Sequence, residues 1–225
     1  MNSSAKPIRA PNSAHLRRKT QAERSSSTRS RVCQATLEAL AEVGHGLIST
    51  AMIAQKAKVS RGALTHQFPS RNDLLVAALL QLHEDWEVVH PVAANPDETR
   101  YSLAELTETL WLNIFADPRY IAAIELMLAA RLDNELGQRL RDEMKRWVDI
   151  RDLRVSKLVG FEPDNEADTL KLHLILSVLR GIAVHQSFDP DIATGRKLVD
   201  LWKKILSEIG SVSYTHLTLP TKRIV

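Results

Sequence analysis

Between residues 49 and 71 the chain gathers Lys58, Arg61 and Arg71, the hydroxyls of Ser49, Thr50, Ser60 and Thr65, the imidazole of His66 and the bare backbone of Gly62. Cations and hydroxyls grouped in this way suit phosphate oxygens and base edges. Ammonium and guanidinium groups displace the counterions condensed on phosphate, and an arginine can bond guanine at two points. Nothing equivalent offers bond-making chemistry: no glycine-rich phosphate loop, pair of catalytic carboxylates or Ser-His-Asp arrangement is detectable. The chemistry on offer is binding.

The elements that must position these groups are legible around them. Ile53, Ala54 and Ala57 mark a short helix over residues 50–57, capped by Ser49 and stapled through Ile48 and Ile53. After a break at Lys58 and Val59, Ser60 caps a second short helix over residues 61–68, with Ala63, Leu64 and Phe68 turned inward. Pro69 stops it, and Ser70 with Asp73 forms a capping box for the next helix. Upstream, residues 29–44 set Val32, Ala35, Thr36, Ala39, Leu40 and Val43 on one face, closed by Gly44. Three helices thus share a small core, and two of them form the helix-turn-helix unit that lays its second helix in the DNA major groove.

These residues, read as RxxVxxAxxxxxxxxG, SxxxIAxxAxVSxGAL and HxFPSR, resemble the TetR family of transcriptional regulators over about the first 90 positions. Two positions depart from the family pattern. Lys58 stands where glycine is usual, which asks a lysine to adopt a left-handed backbone at a cost of about 1 kcal/mol. Thr65 stands where an aromatic residue is usual. The expected DNA-binding residues are Arg29, Arg31, Ser49, Thr50, Lys58, Ser60, Arg61, Gly62, Thr65, His66 and Arg71, with Gln67 a further base-edge candidate.

Beyond residue 72 the periodicity stays helical and no strand pattern appears, so the fold class expected is all-α: a three-helix head followed by a larger helical domain. Helices are expected over residues 70–90, 99–115, 119–132, 134–158, 167–186 and 192–209, the last capped by Gly210. Trp111, Phe115, Met127 and Trp147, with polar Arg131, Arg151 and His173, have the composition of a small-molecule site, although aromatic and methionine residues at helical spacing equally suit plain core. The resemblance implies an effector pocket here. Either Arg131 or Arg151 could bind an anion, or could pair with Asp133 or Glu143. The helix over residues 167–186 is apolar nearly all round and must be covered on more than one side. The resemblance implies that the last two helices pair with their copies in a dimer, through Leu174, Val178, Gly181, Ile182, Leu198, Leu201, Trp202 and Ile205.

Composition is ordinary, with 225 residues, 44% apolar and 25% charged. Its single cysteine, Cys33, excludes an internal disulfide and sits at a core spacing. No apolar run approaches the roughly 20 residues of a membrane span, so a cytoplasmic protein without membrane contact is expected. Residues 1–31 carry eight basic side chains against Glu23 alone, a surplus of seven; the remainder must then carry four net negative charges to give the overall +3. Residues 1–27 read as a basic, disordered arm and residues 211–225, SVSYTHLTLPTKRIV, as a non-native tail, leaving the head at 28–72 and the effector and dimerisation domain at 73–210. The pair Glu87 and His90, with His83, has the spacing of a helical di-iron ligand set but lacks the second half, so no metal or other cofactor is expected. The function expected is a homodimeric repressor that binds a palindromic operator and is released by a small-molecule effector, not an enzyme. A rival reading makes the chain a helical ligand-binding or enzymatic module whose basic head serves a partner other than DNA.

Overall fold

The computed structural model describes residues 20–89, 91–189 and 191–212, and among these only helices and their connections occur. The head consists of α1 (Gln21–Val43), α2 (Thr50–Lys56) and α3 (Arg61–Gln67), and α4 (Arg71–Glu87) leads out of it. Then come α5 (Leu103–Leu110), which widens into a π turn at Trp111–Phe115, α6 (Arg119–Ala129), α7 (Asn134–Leu158), α8 (Glu166–Gln186) and α9 (Ile192–Val212).

The first helix begins earlier than its apolar face suggests. Thr20 and Glu23 form a reciprocal capping box, the Thr20 hydroxyl accepting from Glu23 N at 3.2 Å and the Glu23 carboxylate accepting from Thr20 N at 2.6 Å. The expected disordered arm is therefore corrected at its end: residues 21–27 are helical, because a two-sided cap outweighs a run of serines whose intrinsic helix preference is only mildly unfavourable. Residues 1–19 of that arm and residues 213–225 of the expected tail lie outside the described residues, as does His90. Gly210 does not end the last helix, which continues to Val212.

Val32, Leu37 and Leu40 of α1 meet Ile53, Leu64, Phe68 and Leu74, all essentially buried. Each such side chain removed from water contributes about 1.5–3 kcal/mol. The same apolar cluster runs on through Leu79, Leu82 and Trp86 of α4 to Leu110, Leu126, Trp147 and Leu179. Because α1 packs on α6 as well as on α4, the head is bolted to the larger helical region.

One buried polar pair lies in that core. His83 of α4 bonds Glu143 of α7 at 2.9 Å while its ring stacks on Trp147, centroids 5.1 Å apart. Burial holds the His83 pKa below the usual imidazole value despite the carboxylate beside it. The ring is therefore neutral and donates from Nδ1 to an ionised Glu143, which also pairs with Arg146 at 3.1 Å. Glu87, the other member of the ligand-like pattern, pairs with Arg146 at 3.0 Å. Cys33 is buried and its thiol is pushed up to about 11 by desolvation, so it is packing material.

The π turn, α6 and α7 fix the middle of the chain. At the α6–α7 crossing, a Cβ on Gly137 would stand 2.4 Å from the Ala130 carbonyl oxygen. Gly137→Ala is accordingly expected to destabilise by about 1–3 kcal/mol through forced separation of the two helices. Urea unfolding checks it, and an unchanged midpoint would disprove the close crossing.

Candidate nucleic-acid interface

The unit starts with a tight chain reversal after α2. Lys58 N donates to the Gln55 carbonyl at 3.1 Å and Val59 N to the Ala54 carbonyl at 3.0 Å, the paired bonds of a Schellman motif. That motif needs a left-handed residue at its centre, and Lys58 supplies it at φ 54°, the lone non-glycine positive φ among the described residues. The consequence is that its side chain projects from the turn into solvent. Lys56 is tied to Glu42 at 2.7 Å, whereas the Lys58 ammonium has no partner among the described residues.

Ser60 then caps α3 by accepting from Ala63 N at 3.1 Å. Leu64 and Phe68 are sunk in the core, which turns Arg61, Gly62, Thr65 and His66 outward. The exposed Thr65 hydroxyl donates back to its own helix, to the carbonyl of Arg61 at 3.1 Å or Gly62 at 3.2 Å. A Cβ on Gly62 would meet nothing closer than Ser60 Oγ at 3.9 Å, so nothing inside the protein demands glycine there. Ser49 accepts from Met52 N at 3.2 Å at the exposed start of α2, beside Thr50, and Arg31 is exposed on α1.

Three of the expected contacts also bond within the chain. Arg29 lies in mid-helix, not at a helix start; its guanidinium stacks over Phe68 at 4.6 Å and donates to the Gln67 carbonyl at 3.4 Å. Gln67 reaches back to Ser25 Oγ at 2.8 Å. Arg71 spans the start of α4, bonding His45 Nε2 at 2.9 Å and the His45 carbonyl at 2.8 Å. These side chains brace the reading surface from behind, because each finds an acceptor on a neighbouring element that the linear order does not reveal.

No one cleft among the described residues collects the expected effector residues. Trp111 and Trp147 are core, Arg151 is buried against Asp152 at 2.7 Å and exposed His173 bonds the same carboxylate at 2.8 Å. Phe115 lines an open cleft of about 240 Å³ between the π turn, α6 and α8, while Met127 and Arg131 line another of about 330 Å³ between α6 and α7. The second cleft also takes Gly137, Leu140, Arg141 and Met144, which share one face of α7 by their spacing. Of the expected dimer residues, Ile182 faces the chain's own core, because a helix apolar all round hides which side is outer. Leu174, Leu201 and Ile205 are exposed, Val178, Leu198 and Trp202 half-buried, and Gly181 has nothing within 4 Å of a Cβ position.

Residues 32–78, the helix-turn-helix unit just described, match the family described as bacterial regulatory proteins, tetR family. The head carries the DNA-binding domain of the tetR family. The chain is a transcriptional regulator with a helix-turn-helix DNA-binding head. The HTH-type transcriptional regulator CymR of Pseudomonas putida is 29% identical over 184 residues, covering 78% of this chain and 87% of that one. BetI of Pseudomonas aeruginosa is 46% identical over 54 residues, 24% of this chain and 27% of BetI. Among solved structures, the multidrug binding protein EbrR, complexed with imidazole, has the same fold at TM-score 0.54 and 20% identity, covering 86% of this chain and 92% of that one. A transcriptional regulator from Rhodococcus sp. Rha1 does so at 0.59 and 19%, covering 80% and 95%. No helix among the described residues is long and apolar enough to cross a membrane.

This tetR-type head is latched to the larger region beside the reading surface. His45 N donates to the Glu125 carboxylate of α6 at 2.8 Å, Arg139 of α7 pairs with Asp73 at 2.9 Å, and Asn72 reaches Asp133, the α7 cap, at 3.5 Å. Partial burial, then the Arg71 guanidinium, hold the His45 pKa below its usual value, outweighing Glu125 and Asp133. In the folded state the ring therefore stays neutral into mild acid, while the unfolded chain takes up a proton near pH 6.5. The unfolded state binds more protons below that pH, so stability is intact above about pH 6.5 and falls as the pH drops from there to the folded ring's lower pKa. His83 adds to the same trend. A lower melting temperature is expected at about pH 5.5 than at pH 7.5, with a smaller drop in His45→Gln; equal drops in the two proteins would remove His45 from the account.

Proposed function

We propose that this protein is a homodimeric repressor in the cytoplasm that binds a palindromic operator through α3 and releases it when a small molecule binds the larger helical region. The head to residue 72 would read DNA, residues 73–210 would dimerise and hold the effector, and the protein would act by binding alone. The observation that carries this reading is the outward face of α3, where Arg61, Gly62, Thr65 and His66 stand exposed beside Lys58, which is unpaired among the described residues. Arg61 suits a guanine edge or a phosphate, Lys58 a phosphate, and Gly62 leaves room for close approach to the groove. Arg31, Ser49, Thr50 and Ser60 would contact the backbone, while Arg29 and Arg71 would act indirectly by holding α3 and α4 in place.

A two-fold dimer supplies two copies of α3 about 34 Å apart, the repeat of the major groove. The exposed apolar side chains Leu170, Leu174 and Phe188 around α8, with Leu201 and Ile205 of α9, support its placement on these two helices. The open surface at Gly181 would allow the backbones to approach closely. Leu201→Asp is expected to leave a folded monomer by light scattering and to abolish tight operator binding; an intact dimer would refute this interface.

DNA selected from a random pool tests the reading directly, with an inverted repeat as the expected product. Affinity should fall steeply with salt. Arg61→Gln should weaken operator binding by about tenfold or more, in keeping with the loss of one bidentate contact. Lys58→Gly should lower affinity and flatten the salt dependence while raising stability by up to about 1 kcal/mol, because glycine relieves the left-handed backbone. Salt-independent binding, or none at low ionic strength, would overturn the proposal.

A further inference from the structure

We propose that the cleft between α6 and α7 binds an amphiphilic anion, with the Arg131 and Arg141 guanidiniums holding a carboxylate and Met127, Leu140 and Met144 receiving its apolar tail. The cleft holds about 330 Å³, enough for a small organic acid. Its floor is Leu140, buried, and its walls are the two methionines, whose unbranched side chains adapt to a ligand's outline.

Charge at the rim selects the class of occupant. Arg139, Lys145, Arg146 and Arg151 of α7 each meet a carboxylate of the chain, whereas Arg131 and Arg141 meet none among the described residues. Gly137 helps to seat one of them: Arg141 Nη1 lies 3.2 Å from where a Cβ at that position would be, so the guanidinium occupies space that any side chain would take. Two planar guanidiniums over an apolar floor match a carboxylate on a hydrocarbon, since they bond its oxygens in pairs and leave the tail on methionine and leucine. A cation would be repelled, and a neutral alcohol would leave both charges unanswered.

The location also gives such a ligand a route to the reading surface, and this step rests on the effector-released reading above. The stretch of α7 that walls the cleft carries Arg139, paired with Asp73, and follows Asp133, which meets Asn72. Both partners lie in the first turn of α4, directly after α3. A ligand that prefers a different spacing of α6 and α7 shifts that turn with them.

The chain has four methionines, two of which line the cleft, so their methyl resonances report on it individually. Titration of the full chain with octanoate, octanol and octyltrimethylammonium is expected to move the Met127 and Met144 signals with octanoate alone, leaving Met52 in place. Arg131→Gln/Arg141→Gln, both exposed and expected to melt like the parent, should weaken octanoate binding at least tenfold. Equal response to octanol, no movement at Met127 and Met144, or undiminished binding by the double variant would each overturn the site. Octanoate binding in the cleft with operator affinity unchanged would uphold the site and remove its effector role.

Discussion

A helix of seven residues cannot persist on its own hydrogen bonds, so α3 exists because Leu64 and Phe68 are buried against α1 and α4. Its surroundings follow from that constraint. The Schellman turn at Lys58 delivers the chain at the right angle, Ser60 satisfies the first turn, and Pro69 ends the helix before it can run past the core. Arg29 over the Phe68 ring and Gln67 on Ser25 then tie the far end of α3 to α1. What remains outside is a rigid face with few internal obligations, the condition for reading another molecule.

The second consequence concerns coupling. α1 forms the back of the head and packs on α6, while α4 carries the chain from α3 into the core of the larger region. Polar contacts at one edge of this joint, through His45, Arg71, Glu125, Asp73 and Arg139, set its geometry more than its strength, because half-exposed ion pairs contribute little to stability. A joint with a large apolar area and a directional polar edge transmits displacement, since packed helices move as units. The buried pair of His83 and Glu143 between α4 and α7 adds a second directional tie deeper in the core.

Local signals in the chain proved readable residue by residue. Ser49, Ser60 and Ser70 each cap the helix expected of them, Gly44 closes α1, and Lys58 takes the positive φ that its place in the turn demanded. Thr20 and Glu23 carried an equally clear start signal that the serine-rich, basic composition around them obscured. The bonds of Arg29, Gln67 and Arg71 within the chain were not readable, for another reason. Each has the charge or hydrogen-bonding capacity of a DNA contact, but each meets a partner 26 to 42 residues away that only folding brings near.

Sequence alone determined the helical class, the position of the turn, the order of caps and the set of residues on the outer face of α3. Those features depend on spacing of 3.6 residues per turn and on side-chain bonds within a few positions, both written into the linear order. Tertiary structure decided which cations stay free among the described residues, which side of the all-apolar α8 lies outward, and that the expected ligand residues divide between core, surface and two separate clefts. These outcomes depend on how helices far apart in the chain pack, as α1 does on α6 and α4 on α7, and periodicity within one helix carries no record of what another helix will cover.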